Sequence, residues 1–321
     1  MHRLQAVVML AVAAIFPIST VLAQEPWPAK PVRVLVGLAP GGATDIQARL
    51  FSQKLTEDLG RSFLVENRPG AGELLAIQAV IGAPADGYTV LSVTTSLTIL
   101  PAFQEKPLYD PLRDLAPVSL ITKAPYIVVV PAASPAKTMK ELLGLAKSTN
   151  FNFGTGGPGT IIHLGGAWIG NSINAPITIV HYKGTAPALA ALMANEIHMT
   201  FANPITALPQ VKAGKFRALA LTSAEPSRAL PNLGTVAEAG VPGFDVTTWH
   251  GWLLPRATPQ AIVGRLQGAL SRMIQSRDMA ESITSQGGDA VGSTPAQFTE
   301  LISAELPRWR KLVQENNIKP E

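Results

Sequence analysis

Two short turns carry the residues best suited to chemistry in this chain. One is Ala39-Pro40-Gly41-Gly42 followed by Thr44 and Asp45; the other is Thr155-Gly156-Gly157-Pro158-Gly159-Thr160 followed by His163. Each comes after a short apolar run and before a segment of helical spacing, so each reads as a strand end, a glycine turn and a helix start. A helix start leaves backbone N–H groups unpaired and carries the positive end of the helix dipole. Glycine lets that backbone approach a ligand with no Cβ in the way. The chemistry expected is recognition of an anion by backbone donors and hydroxyls, with no metal, no cofactor and no catalytic side chain.

Residues that suggest other chemistry lead nowhere further. Gly154-x-Gly156-x-x-Gly159 spells the dinucleotide fingerprint, but that reading needs an acid about 20 residues on, and none follows until Glu196. His163, His181, His198 and His250 show no metal-ligand spacing, and neither HExxH nor Gly-x-Ser-x-Gly occurs. His163 lies in the first turn of its helix, where it meets a ligand or the local backbone. Asp45 either complements the helix dipole, worth at most about 1 kcal/mol, or bonds a ligand's amine or hydroxyl. Lys183, in Tyr182-Lys183-Gly184, either faces a cleft or snorkels to water. Trp249 and Trp252 read as core.

The elements that must position these turns alternate as strand, turn and helix, an α/β signature. Strands are expected from Val32, at Ser62–Glu66, and at Thr89–Val93 ending in Thr94-Thr95-Ser96. Thr44 with Gln47 has capping-box spacing for the first helix, and Leu74–Ile81 reads as a second. Two apolar runs between Leu115 and Val130, split at Thr122-Lys123-Ala124-Pro125, mark a first crossing into a second domain. That domain is expected to hold a helix capped by Thr138 and Glu141, and strands at Phe151–Phe153, Ile177–Tyr182, Ile197–Phe201 (ending at Asn203-Pro204) and Phe216–Thr222. Thr235 with Glu238 is expected to cap a short helix. Val246–Leu254 returns to the first domain, and the remainder is helical, with Thr294 and Gln297 opening the last helix.

Composition bounds the rest. Arg3, an apolar stretch from Ala6 to Phe16 and Val21-Leu22-Ala23 read as a secretory signal peptide over residues 1–23. No later stretch approaches the roughly 20 apolar residues of a membrane span, so the exported protein is expected to be soluble. Cysteine is absent, which excludes disulfides, thiolate metal sites and cysteine nucleophiles. The remaining chain of roughly 300 residues is more than one core usually holds. Two domains are therefore expected, 24–124 with 247–321 and 125–246. With 47% apolar residues, 15% charged residues and a formal charge of +4 spread along the chain, no nucleic-acid footprint appears.

Several motifs, in order, resemble one family. They are Leu38-Ala39-Pro40-Gly41-Gly42 with Asp45 and Ala48-Arg49, Glu66-Asn67-Arg68-Pro69-Gly70-Ala71-Gly72, Asp86-Gly87-Tyr88-Thr89 and Tyr109-Asp110-Pro111. Tyr182-Lys183-Gly184, Ala213-Gly214-Lys215, Thr235-Val236-Ala237-Glu238-Ala239-Gly240 and Pro242-Gly243-Phe244 continue it. The chain is similar in these to the Bug-type solute-binding proteins of tripartite tricarboxylate transporters. The resemblance implies a type II, Venus-flytrap receptor in the periplasm, monomeric, that hands a small organic carboxylate to membrane permease subunits. It implies ligand contacts at Pro40 to Thr44 and at Thr155 to Thr160; Ala39, Asp45, Thr94, Thr95, Ser96, His163, Tyr182, Lys183, Gly184 and Asn203 complete the candidate set. The chain departs from the family at Glu73-Leu74-Leu75, where glycine and a small-residue helix start are usual, and at Asn203, where an acid is common. The alternatives are a receptor that docks on a membrane sensor kinase and an exported hydrolase or isomerase.

Overall fold

A computed structural model describes residues 27–227, 230–315 and 318; the signal peptide expected over 1–23 lies outside the described residues. In the first half of the chain the elements are β1 (Val32–Val36), α1 (Ala43–Leu59), β2 (Phe63–Asn67), α2 (Leu74–Ile81), β3 (Thr89–Thr94), α3 (Ser96–Ile99), α4 (Pro111–Asp114), β4 (Leu115–Pro125), β5 (Ile127–Pro131) and α5 (Met139–Ser148). There follow β6 (Phe151–Thr155), α6 (Ile161–Ile173), β7 (Ile177–His181), α7 (Thr185–Met193), β8 (Met199–Ala202), α8 (Pro204–Lys212) and β9 (Phe216–Leu221). The chain ends with β10 (Thr247–Pro255), α9 (Gln260–Gln275), α10 (Arg277–Ser285), β11 (Asp289–Ala290) and α11 (Pro295–Glu315).

The strands form two sheets, in the orders β11-β4-β10-β3-β1-β2 and β7-β6-β8-β5-β9. β1 pairs in parallel with β2 and β3, and β6 with β7 and β8. Helices cover such strands on both faces, which is why they read as unbroken β-branched runs. In the first sheet Val34, Phe51, Trp252 and Leu266 pack on one face and Leu35, Ile77, Leu91 and Phe298 on the other. Phe151, Phe153, Phe201 and Phe244 dominate the second core. Each such side chain, removed from water, contributes roughly 1.5–3 kcal/mol. Trp309, Leu312 and Val313, late in α11, join this second cluster.

The chain passes between the sheets at Tyr126, between β4 and β5, and at Val246, just before β10. β4 and β10 pair antiparallel from Thr247 opposite Pro125 to Pro255 opposite Leu115. Thr222, fully buried, ties the two passages together. Its Oγ1 accepts from the Tyr126 N–H at 2.8 Å and donates to the Val246 carbonyl at 2.6 Å. Its backbone N–H donates to the Tyr126 carbonyl and its carbonyl accepts from the Val246 N–H.

The structure corrects several sequence expectations. The first crossing is not at Thr122–Pro125, because β4 runs unbroken through those residues along β10. Thr44 is no cap: Gly42 holds the N-cap position of α1 with no side-chain bond, and Thr44 lies in the first turn. The capping box at Thr138 and Glu141 forms, and Thr294 and Gln297 exchange the corresponding bonds. Thr235 and Glu238 also bond reciprocally, but around a turn and not a helix. Helix α8 had no expectation. Its signal is Asn203-Pro204, a side-chain cap followed by proline at the first helical position, and Pro209 inside the helix masks its period.

Replacing Thr222 by valine keeps the shape but strands the Tyr126 N–H and the Val246 carbonyl in a buried site. Each group left unsatisfied costs about 1–3 kcal/mol. The urea midpoint of Thr222→Val should fall accordingly, and an unchanged midpoint would remove the residue from any role in holding the passages.

Candidate functional site

The first turn leaves β1 at Gly37 and enters α1. Gly41 has φ +81°, a conformation that side chains with a Cβ rarely adopt. Asp45 holds the turn by accepting from the Gly41 N–H at 3.0 Å and pairing with Arg49 at 2.9 Å. Burial raises its carboxyl, but the bonds from Arg49, Gly41 and Asn67 outweigh that and leave it below the ordinary range. Thr44 Oγ1 lies 3.1 Å from His250 Nε2, whose Nδ1 faces Thr122 Oγ1 at 3.3 Å. Burial lowers His250 to about 4, so the ring is neutral at pH 7.

The second turn leaves β6 and enters α6. Thr155 Oγ1 accepts from the Gly157 N–H at 3.1 Å and meets His181 Nδ1 at 2.7 Å. Thr160 caps α6 by accepting from the His163 N–H and donates to the Gly157 carbonyl at 2.8 Å. His163 takes the local role, its Nδ1 accepting from the Gly159 N–H at 3.2 Å and its ring stacked on Phe103. Burial, then the neighbouring His181, lowers it to about 4.

Two further residues complete the site. Asn203 caps α8 with Oδ1 on the Ile205 N–H, while its Nδ2 donor, in a side chain only 4% exposed, finds no hydrogen-bond partner among the described residues. Glu73 is fully buried; its carboxylate accepts from the Thr94 N–H at 3.1 Å and from the Thr94 hydroxyl, with Ser96 beside it.

Parts of both turns meet Asn203 and Glu73 around one cavity of about 20 Å³, room for a water molecule and not for an organic acid. Of the candidate residues, Thr44, Thr94, Ser96, Gly156, Thr160 and Asn203 line it. Leu38, Ala43, Glu73, Tyr126, Ile161, Ile162 and His250 line it as well, and sequence reasoning did not select them. Tyr126 and His250 arrive only through the passage strands, and no local pattern marks them; Glu73 carried a signal, as the residue that breaks the small-residue run after Gly72.

The remaining candidates build the surroundings. The Ala39 N–H donates to the Lys183 carbonyl at 2.9 Å across the gap between the sheets, and the side chain of Lys183 is exposed. A Cβ on Gly184 would stand 3.0 Å from the Ala39 nitrogen. A Cβ on Gly72 would stand 1.9 Å from the Pro158 carbonyl oxygen, so the second turn rests directly on the backbone at Gly72. Pro40 and Gly41 are exposed, Tyr182 is half-buried, and Gly42, Gly157 and Gly159 lie buried behind the wall. Thr95 accepts from the Trp249 N–H at 3.1 Å, near the passage strand. A hollow of about 740 Å³ between α1, α9 and α10 lies elsewhere; its Lys54 pairs with Glu57 and its Arg272 with Asp58.

The model of the tripartite tricarboxylate transporter family receptor matches residues 47–318. The periplasmic binding protein BugD is 27% identical and superposes with a TM-score of 0.87, covering 92% of this chain and 100% of its own. Rpa4515 from R. palustris, solved with adipate, is 32% identical with a TM-score of 0.88 over 92% of this chain and 100% of its own. MatC (Rpa3494) from Rhodopseudomonas palustris, with bound malate, is 29% identical with a TM-score of 0.84 over 89% of this chain and 100% of its own. With its two α/β sheets and a family match across most of its length, this chain belongs to the tripartite tricarboxylate transporter receptors, a family of solute-binding proteins and not of enzymes.

Proposed function

We propose that this receptor takes a small organic carboxylate between its two sheets in the periplasm and delivers it to the membrane permease subunits of a tripartite transporter. One observation carries the reading. The N-terminal turns of α1, α6 and α8 reach the same buried cavity, through Ala43 and Thr44, through Ile161 and Ile162, and through Asn203. Unpaired N–H groups, the positive ends of three dipoles and the free Asn203 Nδ2 all favour an anion there. Among the described residues no lysine or arginine lines the cavity, so dipoles and hydrogen bonds, not a counter-ion, recognise the carboxylate. The adipate and malate of two solved relatives are acids of this class.

A cavity this small admits such an acid only if the sheets part. In this reading residues 24–124 with 247–321 form one body and 125–246 the other, and Tyr126 and Val246 absorb the rotation. The receptor works as a monomer, and residues 1–23 serve as its export signal. Candidate contacts are Thr44, Thr94, Ser96, Gly156, Thr160 and Asn203, with the neighbouring backbone from Ala39 to Gly42 and from Thr155 to Gly159.

Isothermal titration should find an acid that binds while its methyl ester binds at least about 100-fold more weakly, the loss of two or more hydrogen bonds to charge. Equal binding of the ester would overturn the anion site. Gly156→Val should abolish that binding and the accompanying decrease in radius of gyration seen by solution scattering. Gly156 has no left-handed backbone, and a Cβ there meets nothing closer than 3.7 Å, so the variant should melt like the parent. Retained binding and compaction in Gly156→Val would place the ligand elsewhere.

A further inference from the structure

Glu73 is the one acidic side chain on the cavity wall, and the backbone goes to unusual lengths to put it there. Gly70, Ala71, Gly72 and Glu73 all have positive φ, at 150°, 46°, 61° and 84°. For alanine and glutamate that region is sparsely populated, and it persists only where the surroundings enforce it. Here the surroundings are specific. A Cβ on Gly37 would stand 2.6 Å from the Glu73 Cβ, so the glycine at the end of β1 is what makes room for this side chain. Gly72 clears the Pro158 carbonyl in the same way. The result is a carboxylate held at the end of β3 by the Thr94 N–H, the Thr94 hydroxyl and Ser96.

The cavity is therefore polarised. The starts of α1, α6 and α8 and the Asn203 Nδ2 supply donors, while Glu73 supplies a carboxyl group. The other titratable groups on the wall give it no cation: His250 is neutral and the Tyr126 hydroxyl is pushed to higher pKa by its burial and by Glu73. Burial raises Glu73 itself to about 7. A second carboxylate brought against it would add like-charge repulsion in a dry site, whereas an ammonium group would return it to its ordinary ionised state.

Resting on the carboxylate reading above, we infer that Glu73 sets the specificity of this receptor, selecting a ligand with a carboxylate at one end and an ammonium group at the other over a dicarboxylate of the same length. The donor wall takes the ligand's carboxylate, and Glu73, Thr94 and Ser96 take its amine.

Matched pairs differing only in one terminal group test this: succinate against β-alanine, glutarate against 4-aminobutyrate, and adipate against 5-aminovalerate. They are titrated into the parent, Glu73→Gln and Glu73→Gly. Glycine is at ease at φ 84°, so Glu73→Gly should fold, and a melting curve verifies it. In the parent the amino acid of at least one pair should bind more than about tenfold tighter than its dicarboxylate. Glu73→Gln should shrink that ratio, and Glu73→Gly should reverse it. The inference is overturned if in the parent no amino acid binds more than about tenfold tighter than its dicarboxylate, or if the ratio survives in both variants. If none of the three proteins binds any of the six compounds, this inference fails, while the carboxylate reading is decided separately by the titration of acid against methyl ester.

Discussion

The first turns of α1, α6 and α8 end at a cavity that water can barely enter, and each brings N–H groups that the helix itself cannot satisfy. In water such groups cost nothing; in a dry space they demand an acceptor. That demand constrains the rest of the molecule. α1 follows a strand of one sheet while α6 and α8 follow strands of the other, so the three starts meet only if the C-terminal strand ends of both sheets face each other. Ligands of open α/β sheets gather at such ends because the turn chemistry places donors there. Here two sheets share the task.

Facing sheets must also touch closely. Close approach comes from glycines: Gly72 lies against the Pro158 carbonyl and Gly184 against Ala39, positions where a Cβ would hold the sheets apart. Across the gap the Ala39 N–H donates to the Lys183 carbonyl, a bond worth about 1 kcal/mol net. Thr222 binds both passages through its hydroxyl and its backbone.

What was legible in the sequence follows the range of the physics involved. The two glycine turns, the β-branched strands and the Thr138 cap are set by residues a few positions apart, and they stand in the sequence as they stand in the fold. Thr44, Gly156 and Thr160 line the cavity for that reason. Local signals misled where tertiary packing decided. Thr44 has the spacing of a cap, yet its hydroxyl turns inward to His250 because the extended Gly42 takes the cap position. β4 carries a lysine and a proline near its end, yet pairing with β10 keeps it a strand. Tyr126 and His250 reach the cavity only because two strands far apart in sequence run side by side, and no spacing rule encodes that.

The Thr44–His250 contact on the cavity wall resembles a nucleophile beside a base, and its details argue against that use. A histidine that accepts a proton in a reaction needs its second nitrogen held by a group that favours the imidazolium, usually a carboxylate. His250 Nδ1 instead faces the Thr122 hydroxyl, which itself bonds Gln47, so no negative charge supports protonation. Burial alone lowers the ring to about 4, and the three helix starts nearby add positive potential that opposes protonation further. A neutral imidazole between two threonines is well suited to fixing the direction of the Thr44 hydroxyl. That hydroxyl belongs to the first turn of α1, whose N–H groups need an acceptor, so the pair serves the same end as the helix starts: it orders donors before the ligand arrives, and it leaves the ligand chemically unchanged.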